Sequence, residues 1–160
     1  MKKTGIINSD LAHAIASMGH TDLMLVVDAG FPIPRSAWRV DLALTPGSPS
    51  TEEVLTAIAG ELIVERTIVA DDVPEMNPPL NNLVHDLFQS AEHDTAAHAD
   101  ILGEMAQEAK VIVRTGAFNP WGNIVLVSGV DAPNWFNKEG VGVPDEYAKR
   151  IERMLAEEGK

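Results

Sequence analysis

The chain has 160 residues, a net charge of −12 at pH 7 and no cysteine. Its length fits one domain, and 45% apolar with 22% charged residues is typical of a globular protein. The absence of cysteine excludes disulfides and thiolate metal sites, and the acidic charge argues against a nucleic-acid partner, because phosphate binding needs clustered lysines and arginines. No signal peptide and no apolar run of roughly 18 residues is present, so we predict a cytoplasmic protein without a membrane partner.

Apolar periodicity predicts alternating helices and strands in the first half of the chain. Residues 9–18 have helical spacing, and Gly19 ends that helix. Five consecutive apolar residues at 23–27 predict a buried strand, and residues 38–44 predict a second. A capping box at Ser50-Thr51-Glu52-Glu53 begins a helix that ends near residue 60, and a strand follows within 61–70.

The second half continues the same alternation. Prolines 74, 78 and 79 predict a rigid loop before a helix at 80–91. Further elements are a helix at 97–108, strands at 110–114 and 124–127, a loop at 131–144 and a charged helix at 145–158. Strands that alternate with helices predict an α/β fold, a single-domain layered sheet with helices on its faces.

Two separated blocks of sequence are specific enough to suggest a family. The first block comprises Met1-Lys2-Lys3, Asn8-Ser9-Asp10-Leu11, Met18-Gly19-His20-Thr21-Asp22, Asp28-Ala29-Gly30-Phe31-Pro32-Ile33-Pro34 and Arg39-Val40-Asp41-Leu42-Ala43-Leu44. The second comprises Val113-Arg114-Thr115-Gly116, Asn119-Pro120-Trp121-Gly122-Asn123-Ile124 and Ser128-Gly129-Val130. In this order they resemble the D-ribose pyranase family, which also includes the fucose mutarotases.

The resemblance implies an isomerase, an intramolecular transferase of carbohydrate metabolism and ribose catabolism. It would interconvert the pyranose and furanose forms of a free monosaccharide, D-ribose above all, by general acid–base ring opening and reclosure, with no cofactor and no metal. Family members are homodecamers with sites at subunit contacts, which implies a homo-oligomer here. The likeness ends near residue 130, so we expect a domain at 1–130 and an extension at 131–160 (loop and helix). An apolar stripe on that helix packs on its own domain or on a neighbouring subunit.

His20 and Asp28 flank the strand at 23–27. An imidazole titrates near 6.5 and can both give and take a proton at neutral pH, and by resemblance His20 is the general acid. Asp28 follows the strand, where open α/β sheets place ligand sites, and by resemblance it binds the sugar. It could also orient His20. The structural alternatives are a helix-terminal histidine and a turn-capping aspartate.

Trp121, Gly122 and Asn123 occupy the place of the family's Tyr-Ala-Asn substrate segment. Asn123 is retained. Trp121 keeps a flat apolar face but replaces a phenol with an N–H that only donates, and Gly122 is expected to loosen the backbone. Core packing is the alternative for Trp121. The departure bears on the choice of sugar more than on the reaction class.

The family has a second site histidine at the start of a helix. His98 occupies such a position, although its distance to Arg114 is one residue longer than in the family pattern, and His93 is the reserve candidate. Two other functions stay open beside the ribose isomerase: a fucose-type anomer mutarotase, and a sugar-binding accessory protein of a ribose transport system without turnover. His20 discriminates the last one, because binding alone needs no proton shuttle.

Overall fold

The computed structural model describes residues 1–158, which form a six-stranded mixed sheet and the helices that pack against it. The strands are β1 (Leu23–Val27), β2 (Arg39–Asp41), β3 (Val64–Ala70), β4 (Glu92–Ala96), β5 (Val111–Arg114) and β6 (Ile124–Ser128). The helices are α1 (Ser9–Ala16), α2 (Thr51–Ala59), α3 (Val73–Met76), α4 (Pro78–Leu87), α5 (His98–Asp100), α6 (Ala106–Glu108), α7 (Ala132–Phe136) and α8 (Asp145–Glu158). A π-helical segment, Ile101–Met105, joins α5 to α6.

The strand order is β2-β5-β1-β6-β3-β4. Strand β6 is antiparallel to both neighbours, whereas the β2–β5, β5–β1 and β3–β4 pairs are parallel. All described strands except β6 therefore end at one edge of the sheet, where β6 begins. We name this the carboxyl edge; it contains Val27, Asp41, Ala70, Ala96, Arg114 and Ile124. The amino edge is the opposite one, at Leu23, Val64, Glu92, Val111 and Ser128.

The three central strands explain why this sequence forms a layered α/β fold. Apart from Arg114 and Ser128 at their ends, strands β1, β5 and β6 consist of Val, Ile, Leu and Met, and nearly all their side chains are buried. Successive strand residues point to opposite faces, so both faces of the sheet are covered. Strands β2 and β4 are the two outermost strands of the sheet, and their side chains are largely exposed. The predicted fold class is confirmed.

Some local predictions were wrong for identifiable reasons. Pro74 lies in the first turn of α3, and Pro78 and Pro79 lie in the first turn of α4, instead of in a loop. A helix leaves its first N–H groups unpaired, and proline has none to lose. The helix predicted at 97–108 contains the π-helical segment, and α7 lies within the loop predicted at 131–144. The capping box is confirmed: the Glu53 N–H donates to Ser50 Oγ at 3.1 Å, and the Ser50 N–H donates to Glu53 Oε2 at 2.7 Å.

The C-terminal helix α8 packs against its own chain at the amino edge. Arg150 contacts Glu65 of β3, and Arg153 Nη2 lies 3.2 Å from Glu92 Oε1 of β4. Residues 159–160 of the predicted extension lie outside the described residues. None of the helices within 1–158 has the length and apolar character that a membrane crossing requires.

Candidate functional site

The carboxyl edge brings Asp28 and Asn123 together. Asp28 directly follows β1 and Asn123 directly precedes the adjacent antiparallel β6, so the Asp28 N–H donates to Asn123 Oδ1 at 3.1 Å. Asp28 Oδ1 accepts the Gly30 N–H at 2.7 Å, as in an Asx turn. Within residues 1–158 no hydrogen bond reaches Asp28 Oδ2, so this half-buried carboxylate keeps an oxygen available to a ligand.

The orientation of the Asn123 amide follows from its partner. A backbone N–H can only donate, so the amide oxygen must face Asp28, and the NH₂ group points the other way. Asn123 is buried, at 3% exposure, and its backbone N–H donates to the Trp121 carbonyl at 2.8 Å. Asn123 is therefore a fixed donor beside a carboxylate acceptor.

Trp121 and Gly122 form a tight turn before Asn123. Trp121 is half-buried and adopts φ 53°, a left-handed conformation that is uncommon for a bulky residue. The Gly122 N–H donates to the Asn119 carbonyl at 2.8 Å, and a Cβ at residue 122 would lie 2.7 Å from that same oxygen. Gly122 does not loosen this backbone, as its lack of a side chain suggested; it permits a close approach that no other residue allows.

Asn77 holds this turn in place and was missed from the sequence. Its Nδ2 donates to Asn119 Oδ1 at 2.8 Å and to the Pro120 carbonyl at 2.9 Å, while its Oδ1 caps α4 through the Leu80 N–H. An asparagine followed by two prolines is a helix-start signature, which could have identified the cap. Its hydrogen bonds to the turn join residues more than 40 positions apart, so no local sequence pattern predicts them.

Arg114, at the end of β5, connects the Asp28 loop to β2. Its Nε donates to the Ala29 carbonyl at 3.0 Å, and its Nη1 lies 3.2 Å from both carboxylate oxygens of Asp41. Partial burial of Asp41 opposes ionisation, but hydrogen bonds from Arg39 and Arg114 outweigh it and hold the pKa of the Asp41 carboxyl below its usual value. These contacts fix the loop that carries Asp28.

The two histidine candidates have different surroundings. His98 is half-buried at the start of α5, beyond the carboxyl end of β4, and its buried Nε2 has no hydrogen-bond partner among residues 1–158. His93 lies within β4, where its Nδ1 is 2.7 Å from Thr67 Oγ1 and its ring stacks on His85 at 3.9 Å. Burial, followed by the His85 and Arg153 charges, lowers the pKa of His93 against the opposing effect of Asp94. Among the described residues, His98 Nε2 has no hydrogen-bond partner, so this atom is available to bind a ligand.

His98 shares the carboxyl edge with Asp28 but does not lie beside it. Three strand spacings separate β4 from β1, which corresponds to about 14 Å between the two strands. The β5–β6 loop extends across part of this distance, because the Ala29 N–H donates to the Ala117 carbonyl at 2.9 Å and Asn119 bonds Asn77 after α3. Trp121, which follows Asn119, is carried by the same loop.

His20 lies at the opposite edge. It precedes β1, whose length alone corresponds to about 13 Å between Leu23 and Val27. Its neighbour Thr21 donates its N–H to the Ser128 carbonyl at 2.8 Å, at the end of β6. His20 and Asp28 of one chain are thus not brought together, and Asp28 cannot orient His20 within that chain.

The carboxyl edge beside the Asp28 loop is open and partly apolar. A surface cavity of about 320 Å³ is lined there by Ala29, Gly30, Arg114 and the side chains of Leu44 and Phe118. Leu44 is 81% exposed and Phe118 is 73% exposed. Apolar side chains beside a cleft suit contact with another protein surface.

These features define an α/β protein that presents a carboxylate, an amide and an aromatic ring at the edge where such sheets bind small ligands. A family model described as the RbsD / FucU transport protein family matches residues 1–131. D-ribose pyranase 1 of Streptomyces griseus is 56% identical over 151 residues, covering 94% of this chain and 100% of the relative. D-ribose pyranase 2 of Rubrobacter xylanophilus is 50% identical, covering 94% and 97%. The chain belongs to the RbsD / FucU family, as the sequence blocks predicted.

A solved structure, that of Bacillus subtilis RbsD complexed with D-ribose, shares the fold. It superposes with a TM-score of 0.76 at 36% identity and covers 81% of this chain and 98% of its own. D-ribose pyranase of Kosmotoga olearia is 41% identical and also covers only 82% of this chain, although 99% of the relative is matched. Some relatives therefore match nearly the whole chain, whereas others lack an equivalent of about a fifth of it.

We expect Gly122→Ala to disturb the Trp121 turn, because the added Cβ would overlap the Asn119 carbonyl. It should lower the free energy of unfolding by roughly 1–3 kcal/mol. Gly142→Ala is the matched control, since no atom of the described residues lies within 4 Å of the position a Cβ would take there. Urea unfolding followed by circular dichroism makes the comparison. Equal stability of the two variants would contradict the steric role of Gly122.

Proposed function

We propose that this protein interconverts the pyranose and furanose forms of D-ribose, as an isomerase that uses no cofactor. The observation that carries the proposal is the 56% identity with a D-ribose pyranase along 94% of the chain. The ribose complex of the 36% identical Bacillus subtilis structure supports the same sugar for the shared fold. A homo-oligomer, with a homodecamer as the specific expectation, and a cytoplasmic location stay predictions.

The reaction is two proton-coupled steps that conserve all atoms. Ribopyranose opens when the C1–O5 bond breaks, O5 gains a proton and the anomeric hydroxyl loses one, which leaves an open-chain aldehyde. After rotation about the chain, O4 adds to C1, loses its proton, and the carbonyl oxygen gains one. Both steps suit general acid–base catalysis, which contributes roughly 10²–10⁴-fold.

Each candidate residue has a role that its environment supports. His20 is 34% exposed and would give and take the proton, and the free Asp28 Oδ2 would accept sugar hydroxyls. The buried Asn123 would donate from its NH₂ group, and Trp121 and Gly122 would offer the sugar a ring face and a close backbone. His98, with its unpartnered Nε2, would bind a further hydroxyl.

The separation of His20 from Asp28 supports a site shared by two copies of the chain. One ribose cannot span β1, so the His20 of one subunit would face the carboxyl edge of another. Exposed Leu44 and Phe118 beside the Asp28 loop would be covered by that contact. The same arrangement would explain why the carboxyl-edge cavity is open in the single chain.

The two alternatives have less support. The D-ribose pyranases match with 56% and 50% identity along most of their length, which favours ribose over a fucose-type substrate. The family is described as one of transport proteins, which is compatible with a protein that binds sugar without turnover. A histidine with an accessible ring nitrogen favours turnover, because binding by itself needs no proton exchange.

We expect the purified protein to accelerate exchange between ribopyranose and ribofuranose without added metal or nucleotide. The His20→Ala variant should catalyse this exchange about 100-fold more slowly, or slower still. The proton transfer acts in the transition state, so sugar affinity should stay within a few fold. Saturation-transfer NMR measures the exchange, with fucose in parallel. His13→Ala, an exposed histidine on α1, is the control. No acceleration by the wild type would refute the proposed function, and a fully active His20→Ala would refute the role of His20.

A shared site predicts complementation between two inactive variants. Co-expressed and doubly purified His20→Ala and Asp28→Ala chains should recover about one quarter of the wild-type rate, because half of the chains carry each intact group and a site needs both. Each variant alone should stay inactive. If mixed oligomers form and remain inactive, His20 and Asp28 act from the same chain.

Trp121 should contribute to sugar affinity if its ring lines the site. We expect Trp121→Ala to weaken binding by on the order of 1–3 kcal/mol and Trp121→Tyr to stay active. Trp135→Ala is the control, because Trp135 is exposed on α7. The sugar dependence of the exchange rate measures affinity. A folded Trp121→Ala protein with unchanged affinity would make Trp121 a packing residue.

A further inference from the structure

Glu65 is a buried carboxylate that contacts His20. Its Oε2 lies 2.9 Å from His20 Nε2, and the same oxygen accepts a hydrogen bond from Arg150 Nη1 of α8. The side chain is only 7% exposed. A buried charge is costly unless it is paired and hydrogen-bonded, so both partners are needed to keep this carboxylate under α8.

A β-bulge aims Glu65 at His20. Val64 pairs with Ser128 and Arg66 pairs with Val127, so Glu65 is the extra residue of β3 opposite β6. Val64 and Glu65 are both buried, which breaks the normal alternation of a strand. Gly129 provides the space, because a Cβ there would lie 3.0 Å from the Glu65 Cβ. In a regular strand the Glu65 side chain would point to the face opposite that of Val64. The bulge and the small Gly129 allow it to point toward His20 instead.

The C-terminal helix α8 covers Glu65 from the surface and also reaches the His20 ring. The Arg150 guanidinium lies 5.3 Å from the centre of the Tyr147 ring, and that ring lies 6.5 Å from the His20 ring and packs on Phe136 at 4.9 Å. Arg150 is 17% exposed, whereas His20 is 34% exposed. Helix α8 therefore encloses the carboxylate and leaves part of the imidazole open.

We infer that Glu65 is a positioning residue for His20 and that Arg150 of α8 holds Glu65 in place, which makes Nδ1 the His20 atom that exchanges the proton with the sugar. The inference rests on the proposed role of His20. An ionised carboxylate only accepts hydrogen bonds, so the Nε2 that faces Glu65 must carry a proton. The neutral His20 ring then has its lone pair on Nδ1, where it can accept a proton. The charged ring carries its second proton on the same Nδ1, where it can donate that proton.

Arg150 makes this arrangement specific to chains with the C-terminal helix. Its charge offsets that of Glu65, and its hydrogen bond fixes the same carboxylate oxygen that faces His20 Nε2. The family model matches residues 1–131 and does not extend to Arg150. In this protein the C-terminal extension thus acts on the proposed site through one side chain.

The chain offers a matched control in a second ion pair between α8 and the sheet. Arg153 Nη2 and Glu92 Oε1 lie 3.2 Å apart on side chains that are more exposed than those of Arg150 and Glu65, and no described contact joins either residue to His20. A role of α8 in stability alone would leave kcat of the folded protein unchanged in both the Arg150 and the Arg153 variants. A positioning role confines the effect to Arg150 and Glu65.

Kinetics test the positioning role. Glu65→Ala should lower kcat about 10- to 100-fold with KM within twofold, and Glu65→Gln should lose less, because its amide oxygen still accepts from Nε2. Arg150→Ala should lower kcat, Arg150→Lys should recover part of it, and Glu92→Gln and Arg153→Ala should keep the wild-type kcat. In the His20→Ala background, Glu65→Ala should have no further effect. Equal losses in the Arg153 and Arg150 variants would overturn the inference.

A second readout does not depend on activity. Long-range ¹H–¹⁵N NMR of ¹⁵N-histidine protein should show His20 as the Nε2–H tautomer at high pH in the wild type and in Arg153→Ala, but as a mixture in Glu65→Ala. An unchanged tautomer in folded Glu65→Ala would overturn the inference. If His20→Ala loses activity and Glu65→Ala does not, the positioning role alone is wrong; if neither loses activity, the proposed role of His20 is wrong.

Discussion

The reversed direction of β6 determines the position of nearly every polar group described above. Because β6 is antiparallel to β1, its first residues meet the end of β1, and Asn123 lies beside Asp28. Because it is also antiparallel to β3, its last residues meet the start of β3, and Gly129 lies beside Glu65. A parallel strand in this position would exchange the two ends and separate both pairs. The candidate site thus depends on one strand direction inside a core of Val, Ile and Leu.

The two edges of the sheet carry different chemistry. At the carboxyl edge, Asp28 and Asn123 are held in part by backbone contacts and keep polar atoms for a ligand. At the amino edge, His20 is held by a buried ion pair and keeps one ring nitrogen open. Since a rigid strand separates the edges, binding and proton transfer would meet only where two chains are in contact. An oligomer would then be a requirement of the reaction and not only a source of stability.

The C-terminal helix makes two ion pairs with the sheet that differ in their surroundings. Its two arginines, Arg150 and Arg153, reach carboxylates at the starts of β3 and β4. Exposed pairs such as Arg153–Glu92 contribute little to stability, whereas a buried carboxylate such as Glu65 needs its partners. The same helix therefore makes one contact of small effect and one that bears directly on the proposed proton donor.

The sequence by itself determined the α/β class, the bounds of β1, the capping box of α2 and the family, because these depend on local periodicity, caps and contiguous motifs. Only the tertiary structure placed Asn123 beside Asp28, since the direction of β6 relative to β1 is not encoded in a motif. It also decided the partners of His20: Glu65 is 45 residues away in the chain, and Arg150 is 85 residues from Glu65. The bulge that aims Glu65 arises from pairing with β6, and pairing between distant segments leaves no signal in the sequence of either strand.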